Sequence, residues 1–191
     1  MPEDKSAAEV ARDLADALDR GGISYAIGGA IALGFYAVPR ATVDVDVNVF
    51  ASPGPDLDRV LGSLRDSGFE AESTPDAVAR QASEEGQFRG ALAGLRVDVF
   101  VPTIPFYAEL EAHKREVVFL GRPLWIIAPE DLVVLKMMFF RRKDLADVEA
   151  ILRDQGAAVD REYVRRKLVE LAGDDDERVR AWADLVRDVA S

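Results

Sequence analysis

Hydrophobic residues recur along this chain with two periods, and each period predicts one kind of element. Spacings of three to four residues, bounded by glycine or proline, are typical of amphipathic helices. They predict helices over residues 6–20, 30–36, 56–67, 75–84 and 105–112. Alternating or short continuous apolar runs are typical of strands. They predict strands over residues 23–27, 43–50, 69–72, 87–93, 95–101, 117–120 and 123–128.

The strand pattern stops at Pro129, and helical periods continue to the end of the chain. Four helices are predicted, over residues 129–140, 143–154, 160–171 and 175–189. Strands interleaved with helices and followed by a purely helical stretch are typical of an α+β arrangement. We therefore expect an α/β core over residues 1–128, with a mixed sheet flanked by helices, and a helical C-terminal subdomain over residues 129–191.

The strand predicted over residues 43–50 alternates aspartate with valine. Asp44 and Asp46 then share one face, and the valines share the other. Side chains at i and i+2 lie about 6–7 Å apart, which suits two divalent ions spaced about 3.5–4 Å apart. An amphipathic edge strand with its polar face in water would also alternate. However, aspartate is depleted in strands, and like charges on one face repel each other.

A glycine pair, Gly28-Gly29, separates the first predicted strand from a short helix. Glycine lets the backbone approach a ligand closely, and the free N–H groups at a helix start favour an anion such as phosphate. The alternative is a tight strand-to-helix turn without a ligand. Further along, Asp98 alternates with Val97 and Val99, so it faces solvent or supplies a third carboxylate. Such a carboxylate could bridge two metal ions or accept a proton from a hydroxyl.

Basic residues in the helical part are candidate phosphate ligands. Lys136 is the only charge in the run LVVLKMMFF, where a lysine is costly unless it pairs or extends to the surface. Arg141, Arg142 and Lys143 follow directly. This basic cluster would meet phosphates of a nucleotide or of RNA, or it would form a solvated junction between two helices.

Composition limits the classes of function. The chain has 191 residues, 49% of them hydrophobic, and a net charge of −11. This acidic balance does not suggest a general nucleic-acid binder, so an RNA partner would need a local basic patch and metal ions. Cysteine is absent, which excludes disulfides and thiolate metal sites. No signal peptide and no run of 18 apolar residues is present, so we expect a cytoplasmic protein without a membrane partner.

The motif Gly28-Gly29-Ala30, followed by Arg40-Ala-Thr-Val-Asp44-Val-Asp46, resembles the signature of the polymerase-β-type nucleotidyltransferases. Within that superfamily the chain is most similar to the AbiEii/MenT group of toxin nucleotidyltransferases. The helical stretches PEDLVVLK and RKDLAD are similar to motifs of the same group. The resemblance covers about residues 23–150.

The resemblance implies a role for each matching residue. Asp44 and Asp46 would hold two Mg²⁺ ions, with Asp98 as the third carboxylate of the site. Gly28 and Gly29 would cradle the triphosphate of an NTP. Thr42 would contact a phosphate or a metal-bound water.

The helical motifs imply further contacts with the nucleotide. Lys136 would neutralise the triphosphate, and Asp144 or Asp147 would organise the basic groups or the acceptor. Arg40 and Lys143 belong to the same predicted nucleotide-binding set.

The reaction implied by the resemblance transfers a nucleoside monophosphate from an NTP to a hydroxyl and releases pyrophosphate. In several toxins of this group the acceptor is the 3′ end of a tRNA. The resemblance also implies a cognate antitoxin as a partner. A protein side chain or a small molecule such as an antibiotic is the alternative acceptor, and the acidic composition favours it. A non-catalytic member that binds nucleotide or a partner protein is a third hypothesis. It is motivated by Gly29, since many members carry a serine there.

Overall fold

The computed structural model describes residues 5–189, in which seven strands and nine α-helices form. The strands are β1 (Tyr25–Ile27), β2 (Asp44–Val49), β3 (Glu70–Ala71), β4 (Gln87–Leu92), β5 (Leu95–Phe100), β6 (Arg115–Phe119) and β7 (Arg122–Ile126). The helices are α1 (Ala7–Arg20), α2 (Gly29–Leu33), α3 (Leu57–Asp66), α4 (Pro75–Glu84), α5 (Phe106–His113), α6 (Pro129–Phe139), α7 (Arg142–Gln155), α8 (Arg161–Ala172) and α9 (Glu177–Val189). A short 3-10 helix, Gly156–Ala158, follows α7.

The chain packs as two compact units. The sheet unit holds the described residues up to Ile31 together with residues 41–127. The helical unit holds residues 32–40 and the described residues from Ala128 onward. Residues 32–40, which the sequence pattern places with the α/β core, therefore pack with the C-terminal helices.

Hydrogen bonds to the C-terminal end of α7 hold residues 32–40 in the helical unit. The backbone N–H of Val38 donates to the carboxylate of Asp154 at 3.1 Å. The side-chain amide of Gln155 donates to the carbonyl of Tyr36 at 2.8 Å. These bonds give the loop fixed partners on the helical side, although it lies between two segments of the sheet unit in sequence.

All seven strands of the sheet unit form one mixed sheet, in the order β3-β4-β5-β2-β1-β7-β6. The pairs β2–β5 and β1–β7 are parallel, and the other neighbouring pairs are antiparallel. In the parallel register of the two central strands, Asp46 lies opposite Asp98. The mixed α/β sheet flanked by helices that the sequence predicts is confirmed.

Alternation along the central strands separates an apolar face from a charged one. Val45 and Val47 on β2, and Val97 and Val99 on β5, have no exposed surface. Each such buried side chain contributes about 1.5–3 kcal/mol relative to an exposed one. Helix α1 contacts β1, β2 and β7 and buries its own apolar stripe. The buried valines fix which face of β2 presents the aspartates.

Helix α2 is shorter than the pattern predicts, because it ends at Leu33 rather than at residue 36. The next amides, of Phe35 and Tyr36, donate to carbonyls three residues back, which is a sequence of turns. Gly34 lies at this point, and glycine weakens a helix through its backbone entropy.

Helix α6 is buried on most sides in the helical unit, where it contacts α7, α8 and α9. Asp131, in its first turn, is fully buried and accepts a hydrogen bond from the Tyr163 hydroxyl at 2.6 Å. This packing holds Lys136 in the interior of the unit. Among residues 5–189, none of the helices combines the length and apolar character that a bilayer crossing would require.

Candidate active site

Three neighbouring strands place charged side chains in a row across one face of the sheet. Asp46 on β2 pairs with Asp98 on β5, and Asp98 pairs with Arg89 on β4. Residues paired on adjacent strands point to the same face, and such strands lie about 4.8 Å apart. Asp44, two residues before Asp46, faces the same way. The three predicted carboxylates therefore share one face and two adjacent strands.

The turn between β4 and β5 sets the position of Arg89. Ala93 and Gly94 connect the strands with positive φ angles of 50° and 79°. Two central residues with positive φ are the pattern of a type I′ hairpin turn, which fixes the register of the strands it joins. Leu92 then pairs with Leu95, and Arg89 lies opposite Asp98.

Asp98 is 5% exposed and accepts hydrogen bonds on both carboxylate oxygens. Arg89 Nε donates to Oδ1 at 2.7 Å, and Arg96 Nη2 donates to Oδ2 at 2.8 Å. The same Arg96 nitrogen lies 3.4 Å from Asp44 Oδ2. Thr42 Oγ1 donates to Asp44 Oδ1 at 2.5 Å. Two guanidinium groups and one hydroxyl thus surround Asp44 and Asp98.

Asp46 lies directly against the glycine pair. The Gly28 N–H donates to the Asp46 carbonyl at 2.9 Å, which extends the pairing of β1 with β2. Gly29 has a φ of +55°, and a Cβ at this residue would lie 1.8 Å from Asp46 Oδ2. Both the backbone angle and the close contact require glycine at this position.

Replacing Gly29 by Ala is expected to destabilise the protein by about 2 kcal/mol. About half of this effect comes from the left-handed backbone and the rest from displacing the Asp46 carboxylate. Gly22 is a matched control, because its φ is +62° and nothing lies within 4 Å of an added Cβ. Gly22→Ala is expected to show the backbone effect alone, about 1 kcal/mol. Urea unfolding of both variants measures the difference, and equal losses would contradict the contact with Asp46.

Helix α2 is a weaker candidate for anion binding than the sequence pattern suggests. It has only five residues, so the dipole at its N-terminus is small. The Gly28 amide is also engaged in the sheet. An anion at this turn would depend mainly on the close backbone approach that Gly29 permits.

A second group of predicted residues meets inside the helical unit. Lys136 Nζ donates to Asp147 Oδ2 at 2.6 Å and lies 3.9 Å from Asp144 Oδ1. Arg40 approaches Asp147 with two bonds, from Nε to Oδ1 at 3.1 Å and from Nη2 to Oδ2 at 3.0 Å. Lys136 is 5% exposed, so it is a buried, paired lysine rather than one that extends to the surface.

Asp144 combines a capping role with this charge network. It stands in the first turn of α7 and accepts the backbone N–H of Arg141 at 3.2 Å and its Nε at 2.6 Å. A carboxylate in the first turn of a helix is favoured by the free N–H groups and the helix dipole. The two residues between Arg141 and Asp144 in sequence, Arg142 and Lys143, are exposed. The helical unit therefore holds a cluster of three cations and two carboxylates, namely Arg40, Lys136, Arg141, Asp144 and Asp147.

The pKa of the Asp147 carboxyl lies below its ordinary value of 3.8. Burial acts to raise this pKa, but hydrogen bonds and charges from Arg40 and Lys136 lower it by more. A depressed pKa means that the ionised carboxylate stabilises the folded state. This stabilisation is fully present above pH 3.8 and is lost as the pH falls below that value.

Acid unfolding tests the Asp147 network. At pH 7 the Asp147→Asn variant is expected to be less stable than the wild type, because Lys136 loses its closest anion. The difference is expected to narrow as the pH falls below about 4, since protonation removes the same charge from the wild type. Urea unfolding of both proteins between pH 7 and pH 3 measures this difference in the free energy of unfolding. A constant difference across this range would contradict the role of the ionised carboxylate.

The predicted site residues thus form two groups, one in each unit. The group in the sheet unit comprises Gly28, Gly29, Thr42, Asp44, Asp46 and Asp98. The group in the helical unit comprises Arg40, Lys136, Lys143, Asp144 and Asp147, in which Lys143 is exposed beside the paired residues.

Two residues in the carboxylate row, Arg89 and Arg96, are absent from the sequence prediction. Both were detectable from local pattern. Arg96 stands two residues before Asp98 and therefore shares its face of the strand. Arg89 lies opposite Asp98 once the turn at Ala93-Gly94 is read as a two-residue hairpin.

The residue types of the carboxylate row fit Mg²⁺, which prefers oxygen ligands and often binds through one or two carboxylates. Asp44, Asp46 and Asp98 supply such oxygens from adjacent strand positions. Within residues 5–189, however, no three acidic, histidine or cysteine side chains are arranged to ligate one ion. The guanidinium groups of Arg89 and Arg96 hold Asp98, so metal binding requires side-chain movement there.

Comparison with solved structures shows that this mixed sheet flanked by helices has the fold of proteins named as nucleotidyltransferases. The antibiotic-resistance factor ANT(2'')-Ia, in complex with adenylyl-2''-tobramycin, matches with a TM-score of 0.60 and 15% identity, over 93% of this chain and 97% of that chain. An antigenic nucleotidyltransferase-like protein from Paracoccidioides brasiliensis matches with a TM-score of 0.55 and 20% identity, over 92% and 93%.

The lincosamide antibiotic adenylyltransferase LnuA, in its lincomycin-bound form, matches with a TM-score of 0.51 and 12% identity, over 75% of this chain and 94% of that chain. No protein-family model matches the chain, and comparison with curated proteins gives no match. At these identities the likeness establishes the fold. The particular similarity to the AbiEii/MenT group stays a prediction.

Proposed function

We propose that this protein is a Mg²⁺-dependent nucleotidyltransferase, which moves a nucleoside monophosphate from an NTP to an acceptor hydroxyl. The observation that carries this proposal is the register of the central strands. Asp46 and Asp98 stand opposite each other, Asp44 shares their face, and the Gly28-Gly29 turn lies against Asp46. These features occur together on a sheet with the fold of nucleotidyltransferases.

The chemistry follows from the residues on this face. The acceptor oxygen forms a bond to the α-phosphorus, the bond from that phosphorus to the pyrophosphate oxygen breaks, and the hydroxyl proton leaves. Asp44 and Asp46 would hold two Mg²⁺ ions, which neutralise phosphate charge when bound. Asp98 would accept the proton or serve as the third ligand. Gly29 would let the triphosphate approach the backbone closely.

The helical unit carries a group of positive charges of its own. Its cluster of three cations and two carboxylates has an excess of one positive charge. The Arg40 side chain is 39% exposed and that of Lys136 is 6% exposed. Within this unit Arg40 is therefore the group that would contact a phosphate, and Lys136 would hold Asp147 in the position that orients Arg40. Lys143 is exposed and would add to the positive charge.

For the acceptor we favour a cationic small molecule that carries hydroxyl groups. The net charge of −11 favours a cationic partner. Two proteins with the matched fold are named with small-molecule antibiotics, since ANT(2'')-Ia is in complex with adenylyl-2''-tobramycin and LnuA is a lincosamide antibiotic adenylyltransferase. Both matches cover more than nine-tenths of those proteins.

The 3′ hydroxyl of a tRNA is the second candidate acceptor, in a toxin that a cognate antitoxin restrains. Exposed Arg142 and Lys143 at the start of α7 support this candidate, because adjacent exposed cations suit a phosphate backbone. The sequence resemblance to the AbiEii/MenT toxins supports it as well.

A transfer assay with α-labelled NTPs tests the proposal. The protein is incubated with each of the four nucleotides and Mg²⁺, and with an aminoglycoside and lincosamide pool, total tRNA, or no acceptor. Label on a drug selects the first acceptor class, and label on RNA selects the second. Label on the protein itself indicates a protein acceptor. If a folded protein transfers no label to any acceptor, the proposed function is wrong.

A further inference from the structure

Arg96 lies between two of the carboxylates that the proposed function assigns to metal binding. Its Nη2 atom is 2.8 Å from Asp98 Oδ2 and 3.4 Å from Asp44 Oδ2. Arg89 holds the other oxygen of Asp98, and Thr42 holds the other oxygen of Asp44. All four oxygens of these two carboxylates therefore accept hydrogen bonds from the protein itself.

The exposure of Arg96 distinguishes its ion pairs from those between two buried side chains. Its side chain is 46% exposed, whereas the side chains of Asp44 and Asp98 are 24% and 7% exposed. The guanidinium can therefore move into water, and a divalent ion at the same oxygens would keep the nearly buried Asp98 charge compensated. The buried pair of Lys136 and Asp147 is different, because both side chains are less than a tenth exposed and have little room to separate.

Charge on this face leads to the same conclusion. Three negative charges on this face come from Asp44, Asp46 and Asp98. Two positive charges, on Arg89 and Arg96, compensate two of them. The face is then nearly neutral without metal, whereas two divalent ions beside both guanidinium groups would leave it strongly positive. Like charges at such distances repel, so metal and guanidinium compete for the same carboxylates.

We propose that Arg96 is an exchangeable counter-ion of the metal site. In the metal-free protein it neutralises Asp44 and Asp98, and it leaves them when a divalent ion binds. The released guanidinium then binds a phosphate group of the NTP, for which its planar donors are well suited. Among the ion pairs within residues 5–189, Arg89 pairs with Asp98 and Arg96 pairs with both Asp98 and Asp44, so Arg96 is the residue that links the two carboxylates. The inference rests on the proposed function, because it takes these carboxylates as metal ligands.

Mn²⁺ binding without nucleotide tests the first half of this inference. The free Mn²⁺ signal in electron paramagnetic resonance gives the affinity of the full chain and of the Arg96→Gln and Arg96→Lys variants. Arg96→Gln is expected to bind Mn²⁺ about 5- to 10-fold more tightly, because a competing cation is gone. Arg96→Lys keeps the charge and is expected to stay near the wild type.

Arg59→Gln is the matched control for the loss of one positive charge. Arg59 pairs with Asp56 on α3, and its side chain is 52% exposed. This control is expected to leave the Mn²⁺ affinity unchanged. Circular dichroism and the melting temperature show whether each variant is folded. If Arg96→Gln binds Mn²⁺ with the same affinity as the wild type, or more weakly, the counter-ion inference is overturned.

Binding of a non-hydrolysable NTP analogue in the presence of Mn²⁺ tests the second half. Arg96→Gln is expected to bind the analogue about 5-fold or more weakly, although it binds the bare ion more tightly. Opposite signs for metal and nucleotide are not expected from general structural damage. Unchanged nucleotide affinity would overturn the transfer of Arg96 to phosphate.

Asp44→Asn separates failure of this inference from failure of the proposed function. If Asp44→Asn weakens Mn²⁺ binding and Arg96→Gln has no effect, the carboxylates hold metal and the counter-ion inference alone fails. If Asp44→Asn binds Mn²⁺ like the wild type, or if the wild type binds no Mn²⁺, the metal role of the carboxylates fails as well.

Discussion

Replacing Asp46 by Asn is expected to reduce nucleotidyl transfer by about 100- to 1,000-fold while the protein stays folded. Asparagine keeps the shape of the side chain that lies against Gly29, so the glycine turn is preserved. The change removes one negative charge from a site proposed to bind two divalent ions. Losing charge stabilisation of several kcal/mol in the transition state gives a rate effect of this size.

The measurement is kcat/KM for label transfer with the acceptor identified in the transfer assay. Asp58→Asn is the control, because Asp58 is an exposed residue in the first turn of α3 and undergoes the same change in charge. Its activity is expected to equal that of the wild type. Full activity of Asp46→Asn would exclude a metal-binding role for this carboxylate.

Replacing Lys136 by Met is expected to destabilise the protein by about 3 kcal/mol. Asp144 and Asp147 are 1% and 6% exposed, and both lie within 4 Å of the lysine nitrogen. Removing one partner of a buried ion pair leaves an undercompensated charge, which typically costs about 3–5 kcal/mol. Arg40 still bonds Asp147, which places the expected value at the lower end.

Urea unfolding at pH 7 measures this effect, with two comparisons that separate its causes. Lys143→Met, at an exposed position of α7, is expected to change stability by less than about 0.5 kcal/mol. The double variant Lys136→Met/Asp147→Leu is expected to recover part of the loss, because replacing both partners by apolar groups is often nearly neutral. No recovery would indicate that the loss comes from packing rather than from the unpaired carboxylate.

The sequence predicts the site best where the evidence is local. Alternation along β2 places Asp44 and Asp46 on one face, and the same period places Asp98 on a face of its own strand. Which strand lies beside β2 is a long-range matter, because β5 follows it only after two helices and two further strands. No local period carries that pairing, so the opposition of Asp46 and Asp98 required the structure.

Partners of buried charges show the same limit. The run around Lys136 indicates that this lysine must pair or reach the surface, but it does not say with what. Asp144 and Asp147 are spaced i and i+3 on a predicted helix, so they share a face. Arg40 reaches Asp147 only because residues 32–40 pack with the helices. Proline and glycine mark that segment as irregular without indicating where it packs. The tRNA acceptor and the antitoxin likewise stay predictions.

The division of residues 32–40 from their neighbours has a topological consequence. The chain passes between the two units three times, after Ile31, after Arg40 and after Ile127. Two of these passages lie between the glycine turn and the aspartate strand. The helices are therefore not an appendage joined at one point, and a recombination event at residue 128 could not exchange them as a module. An evolutionary exchange of the helical unit for another would also have to replace the nine residues between Ile31 and Ala41, because they pack with the helices.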